Sequence, residues 1–599
     1  MSFTIEFQPV GVRLVNEEPL TLLDAARRAG LALRADCGGA GSCGKCRVQI
    51  AASAHPITPV ENDRRHLSAA QIDEGFRLAC SAVADGDCRV LIPPETMLSG
   101  QVLQTAGEGN ELQVDSPVQQ QAVLLPPPAL EDLRADFERL KDTCGLADLT
   151  ADMKILRNLP KALRSSQWHI NLIRHGNALM HITPNACRPL AGLAVDVGST
   201  KLACYLLDLE TGRLLAAKGA PNPQIGYGED IMARLFFAQQ GAQQSRKLHD
   251  LVIEAIQNTA AEMCRQVGIA NDSIADACLV GNTAMHHFFL DLPGASLAVS
   301  PFVPAASSAL NFPAEDIGLT GMPGMRVYAP PVIAGFVGSD HLAFLSACDF
   351  GGDDRTRLGI DIGTNTEIAL QKGSRIVSVS TASGPAFEGA HIQFGMRAAP
   401  GAIEHVRIGP DGRVELDVIG DQPPGGICGS GILDALGEMR AAGLFNRRGR
   451  LEKTHPAVKL DANGMAFFPL SGEPVNGRTI TLSQHDIDQV LLAKGAIRAG
   501  IEVLMDQLKV QPAEIDEVVI AGAFGSFMLP EQAIRIGMLP GIPLEKIRAV
   551  GNAAGAGARM LLVSAQARSQ AEALARRIEY LELSLYPDFD LFYARGIQA

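Results

Sequence analysis

The sequence predicts an α/β protein of several domains, and three observations predict it. The chain has 599 residues, 47% of them hydrophobic, more than one core accommodates, since soluble chains split into domains beyond about 250–300 residues. A pattern of apolar strand, Asp, Gly, hydroxyl-rich turn and second apolar strand occurs at 193–208 and returns at 358–370, which predicts two similar lobes facing a cleft. Near the N-terminus a loop rich in glycine and cysteine lies between strand-like and helix-like segments, which predicts a further, small domain.

In that small domain, residues 3–7 and 12–15 alternate like hairpin strands, 20–29 has apolar residues at helical spacing, and 46–50 resumes strand character. Between them Cys37-Gly-Gly-Ala-Gly-Ser-Cys43-Gly-Lys-Cys46, followed at a distance by Cys80, has spacing suited to a [2Fe–2S] cluster. Gly38, Gly39, Gly41 and Gly44 allow positive φ, so the loop can wrap a cluster and aim amide N–H groups at its sulfurs. Cys80 is preferred as the fourth ligand over Cys88, which opens the strand-like Cys88-Arg-Val-Leu-Ile92, where a cysteine serves as a small buried apolar residue. The competing reading is zinc, but zinc modules pair two short knuckles and only Cys43-x-x-Cys46 has that spacing. Gly39-x-Gly41-x-x-Gly44 and the Walker-like run from Gly39 to Cys46 are rejected as nucleotide motifs. Cys46 stands where Mg²⁺ needs Ser or Thr, and the glycine triplet lacks its strand, helix and acidic residue.

The formal net charge of −14 argues against nucleic acid as a partner, because phosphate neutralisation requires clustered Lys and Arg. No run of 18 apolar residues occurs, and the N-terminus lacks a charged segment followed by an apolar one. No membrane partner is therefore expected, and the cytoplasm is the expected location. Twelve cysteines scattered without a secretion signal do not read as a disulfide framework.

The expected organisation is a cluster domain at 1–95, a linker at 96–128, a small middle domain at 129–188, and a two-lobed domain at 189–599 with lobes of about 189–350 and 355–599. Pro93-Pro94, the Gln-rich 119–121 and Pro126-Pro127-Pro128 interrupt any core pattern and mark the linker. The two repeated turns are Asp196-Val-Gly198-Ser199-Thr200-Lys201 and Asp361-Ile-Gly363-Thr364-Asn365-Thr366-Glu367. Glycine permits close backbone approach to a phosphate, hydroxyls and amides donate to it, and Asp orients Mg²⁺ through its waters. One such hairpin is also an ordinary β-turn; two can grip one polyphosphate from opposite sides.

The first 95 residues resemble the β-grasp fold of [2Fe–2S] ferredoxins. The extra residue between Cys37 and Cys43 departs from the plant-type spacing and resembles the adrenodoxin-type variant. From residue 189 the chain resembles the actin, sugar-kinase and heat-shock-chaperone superfamily, whose duplicated ribonuclease-H-like lobes close over ATP and Mg²⁺. Gly522-Ala523-Phe-Gly525 looks like its adenosine motif, and Gly429-Ser-Gly431-Ile-Leu-Asp434 like another of its glycine-to-helix connections.

A narrower resemblance rests on Asn222-Pro-Gln224, Tyr227-Gly-Glu-Asp230, Gly281-Asn-Thr-Ala-Met-His286, Gly384-Pro-Ala-Phe-Glu-Gly389 and the fused cluster domain. It points to the ATP-dependent reductive activators of corrinoid enzymes. This resemblance implies that one low-potential electron passes from the [2Fe–2S] cluster to the cobalt of a corrinoid protein of a methyltransferase system, taking Co(II) to Co(I). It also implies an upstream low-potential electron donor and a homodimer.

By the same resemblance, Asp196 and Asp361 organise Mg²⁺ and the hydrolytic water, Gly198, Ser199, Thr200, Gly363, Thr364 and Asn365 contact phosphates, and Lys201 pairs with the terminal one. Gly384, Gly522, Ala523 and Gly525 line the nucleotide. Three alternatives stay open: an ATP-binding redox-sensing chaperone or regulator, a kinase with an added domain, and an activator of a 2-hydroxyacyl-CoA dehydratase-like enzyme. Cys428 resembles a cluster ligand of the last, although no second cysteine follows it.

Overall fold

The computed structural model describes the chain apart from residues 1–2, 9–11, 30, 32, 36, 94–95, 97–113, 185–186, 229, 364, 390, 397, 410–412, 472–478, 523–524, 526 and 599. Thr364 and Ala523 of the expected nucleotide site lie outside the described residues.

The N-terminal domain is a five-stranded sheet of β1 (Phe3–Gln8), β2 (Val12–Asn16), β3 (Arg47–Ser53), β4 (Phe76–Leu78) and β5 (Cys88–Leu91), in the order β2-β1-β5-β3-β4. β1 pairs antiparallel with β2 and parallel with β5. Helix α1 (Leu22–Arg28) starts at Thr21, whose side chain accepts from Asp24 N, and turns Leu22, Leu23, Ala25 and Ala26 into the core beside Ile5, Phe7 and Val90. This mixed sheet wrapped on one helix is the expected β-grasp arrangement.

A second sheet consists of β6 (Val118–Leu124), β7 (Thr150–Ala151), β8 (His169–His175) and β9 (Ala178–Pro184), in the order β6-β8-β9-β7. Helices α2 (Asp136–Cys144) and α3 (Met153–Ser165) accompany it. Residues 118–124, which the sequence reading assigns to the linker, thus form an edge strand of the small domain.

The remaining chain forms two lobes with one topology. Lobe I contains β10 (Ala191–Val197), β11 (Lys201–Asp208), β12 (Leu214–Pro221), α4 (Ile231–Gln239), α5 (Ala242–Val267), β13 (Ile274–Gly281), α6 (Thr283–Phe289), β14 (Leu310–Pro313) and β15 (Arg326–Ala329), followed by α7 (Ser339–Ala347). Its sheet order is β12-β11-β10-β13-β15-β14.

Lobe II contains β16 (Arg357–Ile362), β17 (Thr366–Lys372), β18 (Arg375–Thr381), α8 (Gly429–Ala441), α9 (Gln484–Leu508), β19 (Glu517–Ala521), β20 (Ile547–Gly551), α10 (Ala553–Val563), α11 (Ala565–Ala575) and β21 (Ile578–Tyr580). Its sheet order is β20-β19-β16-β17-β18-β21. In both lobes an antiparallel three-strand meander continues into parallel strands, so β10 and β16 are equivalent, as are β13 and β19.

Helices α7 and α10 pack on each other between the sheets, and one apolar cluster containing Leu342, Phe344, Leu561 and Leu562 reaches Ala194 of β10 and Val519 of β19. The lobes therefore share a core beneath the cleft. Among the described residues no helix is long and apolar enough to cross a membrane.

Candidate functional site: a thiol cluster and an interlobe cleft

In the cysteine loop Gly38, Gly39, Gly41 and Gly44 all have positive φ, between 66° and 109°. A side chain at Gly44 would place its Cβ 2.8 Å from His66 Cβ, so the loop has both the conformation and the room that only glycine provides. The chain reversals stack the thiols in two pairs. Cys37 lies against Cys43, and hydrogen bonds from that thiol and from the amides of Cys43, Gly39 and Ser42 hold the Cys37 thiol down at about 4. Cys46 lies against Cys80: sharing a proton with Cys46 lowers Cys80 to about 7, while the same contact and burial push Cys46 upward.

Among the described residues no three Cys, His, Asp or Glu side chains converge as one metal ion requires. Two adjacent pairs of thiolates, with amides aimed at a sulfur, fit two irons bridged by sulfide better than one tetrahedral zinc. Cys88 is set apart: it lies on β5 opposite Ile5 and Ser53, buried in the domain core, and burial first, then Asp87, raises its thiol to about 11.

The interlobe cleft is a cavity of about 530 Å³, within the range of small-molecule sites. The end of β10, the turn after it and the start of β11 contribute Asp196, Gly198, Ser199, Thr200 and Lys201, and the end of β16 with the turn after it contributes Asp361, Gly363 and Asn365. A Cβ on Gly198 would stand 2.6 Å from Lys201 O, so this tight turn excludes other residues. Gly522, at φ 93°, follows β19 into the same cavity, and Glu388 lines it as well. Gly384 and Gly525 are not among its lining residues. Gly525 instead faces Ile520, with 2.7 Å between its would-be Cβ and Ile520 Cγ2.

The structure adds groups that the sequence reading left without a role. Asp340 at the start of α7, Glu367 on β17, and the pair Asn282 and Asn552 all line the cavity. Burial raises Asp196 to about 6. Asp361 reaches about 7 through burial and then Asp196, and Asp340 about 8 through burial and then Asp196 and Asp361. Glu367 rises well above the carboxylate range through burial and then the neighbouring Asp340 and Asp361. Four carboxylates that hinder one another's ionisation, beside phosphate-type turns, are the environment a hard divalent cation relieves.

A sequence signal for Asn552 did exist: Val280-Gly-Asn282-Thr-Ala and Val550-Gly-Asn552-Ala-Ala repeat each other at the ends of two parallel strands, β13 and β20. Each Asn caps the next helix, accepting from Met285 N at 3.0 Å and from Gly555 N at 2.7 Å. Cys428 is a buried thiol on the cavity wall whose Sγ donates to Ile403 O at 3.2 Å, a packing role. His287 is likewise structural, bonded to Thr283 O at 2.8 Å and to Ala305 N at 2.9 Å.

The geometry agrees with the resemblances found to known proteins. Four family models match in succession: the 2Fe-2S iron-sulfur cluster binding domain at 5–85, the RACo linker region at 107–188, the RACo middle region at 191–353, and the C-terminal domain of RACo, described as the ASKHA domain, at 355–598. The chain is 30% identical over 592 residues to the corrinoid activation enzyme RamQ of Eubacterium limosum, covering 96% of this chain and 95% of that protein. It is 27% identical over 439 residues to the [Co(II) methylated amine-specific corrinoid protein] reductase of Methanosarcina barkeri, covering 67% of this chain and 76% of that one. The solved structure of a reductive activator for corrinoid, iron-sulfur protein superposes with a TM-score of 0.73 at 31% identity, over 99% of this chain and 97% of the other.

Proposed function

The chain belongs to the ATP-dependent reductive activators of corrinoid proteins, and we propose how its residues divide that work. The observation that carries the reading is the presence, in one chain, of two thiol pairs in a glycine loop and of an acidic cleft between duplicated lobes. When bound, a [2Fe–2S] cluster supplies one low-potential electron to the Co(II) of a corrinoid protein, giving Co(I), and Mg-ATP supplies the driving energy. Centres of the plant ferredoxin type lie near about −400 mV, and each further 100 mV of deficit is worth about 2.3 kcal/mol per electron.

Cys37, Cys43, Cys46 and Cys80 hold the cluster, and the loop amides that favour a Cys37 thiolate also stabilise its charge. In the cleft, Ser199, Thr200, Asn365 and the glycine amides of both turns would receive phosphates, with Lys201 at the outermost. Asp196 and Asp361, one from each lobe, would orient the waters of a bound Mg²⁺. Asp340, which faces Asp196 and Asp361 in the cleft, would accept the proton of the attacking water once a bound cation offsets the charge of those neighbours and leaves it ionised. Gly522 carries the strand end that lies under the adenosine. Because lobe-to-lobe contacts run through α7 and α10, a nucleotide gripped by both turns can favour one lobe arrangement over another, which is how ATP alters a complex with a partner.

A low-potential carrier as upstream donor, a homodimeric state and a cytoplasmic setting complete the proposal, supported by the family resemblance. The test is anaerobic visible spectroscopy of a Co(II) corrinoid protein mixed with the reduced chain. Co(I) absorption that develops only with Mg-ATP is expected; reversible complex formation without cobalt reduction would identify a regulator instead.

A further inference from the structure

The segment from Asn222 to Gly228, whose sequence stands out and which the thiol and nucleotide roles above leave unused, lies between the cysteine loop and the phosphate-type turn after β10. We infer that it is a linkage by which the nucleotide turn holds and releases the cluster domain, with Arg27 and Tyr227 as positioning residues for electron delivery; this rests on the function proposed above.

At one end, Asn222 is bolted to the phosphate-type turn: its Nδ2 donates to Gly198 O at 2.9 Å and its backbone N–H to Thr200 O at 2.9 Å. The turn that follows is rigid. Asn222 Oδ1 accepts from Gln224 N at 3.0 Å, Gln224 Nε2 donates to Leu248 O at 2.9 Å, and Arg234 Nε donates to Gly228 O at 2.7 Å, with Asn222, Gln224 and Arg234 all buried. Asp230 caps α4 by accepting from Ala233 N at 2.7 Å. At the other end, the guanidinium of Arg27 lies 4.9 Å from the centre of the Tyr227 ring, and its NH2 donates to Gly38 O at 3.1 Å, one residue from Cys37. The fit is close: a Cβ on Gly38 would stand 3.2 Å from Tyr227 O, and one on Gly226 would stand 3.3 Å from Arg27 Nε.

The cluster loop is therefore seated on a turn whose far end is hydrogen-bonded to the Gly198 and Thr200 carbonyls of the phosphate-type turn. Phosphate binding at Ser199 and Thr200 competes with the geometry that Gly198 O and Thr200 O offer Asn222. The shift reaches Tyr227 through the hydrogen-bonded turn, loosening the seat of the loop. In this account nucleotide frees the cluster to approach its acceptor, and the seated state guards it. Coupling of this kind is typically worth 5–150-fold.

The test uses the full chain carrying its cluster, without any corrinoid protein, and follows iron capture by bathophenanthroline disulfonate with and without Mg-ATP. Mg-ATP should speed capture by about tenfold. Tyr227→Ala and, as a second variant should that one lose its cluster, Arg27→Met should give fast capture that ignores nucleotide. Tyr227→Phe should restore the wild-type response, and Asn222→Ala should abolish the response to nucleotide. Capture in the wild type that is unchanged by Mg-ATP, or a full nucleotide response in Tyr227→Ala or Arg27→Met, would overturn the linkage. Either result would leave ATP-dependent cobalt reduction itself untouched, since no cobalt is present.

Discussion

Asn552 donates from Nδ2 to Asp196 Oδ2 at 3.0 Å, joining residues 356 positions apart in the chain. Asn552 also caps α10 and bonds at 3.3 Å to the hydroxyl of Tyr205. The carboxylate of the first turn is thus oriented by a residue on the helix between the lobes, so a change in lobe arrangement is felt at that carboxylate.

Asp196→Asn preserves size and can still meet Asn552 but removes the charge that orients Mg²⁺. The ATP-stimulated rate of Co(I) formation should fall by about 10²–10³-fold, the size of loss seen when one preorganised electrostatic group is removed. Iron content and the visible spectrum of the cluster should not change.

Asp340→Asn should separate binding from hydrolysis. Loss of a general base typically costs about 10²–10⁴-fold in rate, so ATP turnover should drop on that scale while nucleotide affinity by calorimetry changes little. Equal loss of both would assign Asp340 to binding.

The two candidate fourth ligands differ in a simple assay. Cys80→Ser should lower iron below two per chain and alter the visible spectrum. Cys88→Ser, in the apolar core of the same domain, should retain its iron and lower only the melting temperature.

Arg568 donates to Asp276 at 2.7 Å, and to Leu561 O and Leu562 O, in a setting where both side chains are buried. It fastens α11 to β13 of the lobe I sheet. Arg568→Ala leaves a buried carboxylate without its partner and should destabilise by about 3–5 kcal/mol, read as a lowered denaturant midpoint.

Lys494 on α9 is buried and bonded to the carbonyl of Gln598, and burial pushes its ammonium down to about 7. In the unfolded chain it titrates near about 10.4, so between those values the unfolded state binds more protons and stability rises with pH. The cost is fully present below pH 7 and lifted above about pH 10.4, and its size is on the order of a few kcal/mol. Lys494→Met should therefore melt higher than wild type at pH 7, with an advantage that shrinks toward pH 10.

The cysteine loop and both Asp-Gly turns were legible because each is local: a few adjacent residues carry both the conformation and the chemistry. The lobes were legible because the pattern repeats. Asp340 was not, since it is a single carboxylate on a helix that only tertiary packing brings to Asp361, and Glu367, which the hairpin register sets directly opposite Asp361, was read only as part of the turn. The edge strand Val118–Leu124 was hidden by its glutamines, which read as linker. Within the sheet, Gln120 is satisfied by Arg188 O at 3.0 Å and Asn171 Nδ2 at 2.9 Å, so polarity there reflects side-chain hydrogen bonding rather than solvation.

Electron delivery from the thiol-held group, driven by the cleft, is tested most directly by a titration without added reductant. Pre-reduced chain is added anaerobically to Co(II) corrinoid protein in Mg-ATP while cluster and cobalt absorption are followed together. One Co(I) formed for each cluster oxidised, and none when nucleotide is omitted, is the predicted result. Cobalt reduction that proceeds equally without nucleotide, or a cluster that stays reduced while Co(I) appears, would contradict it.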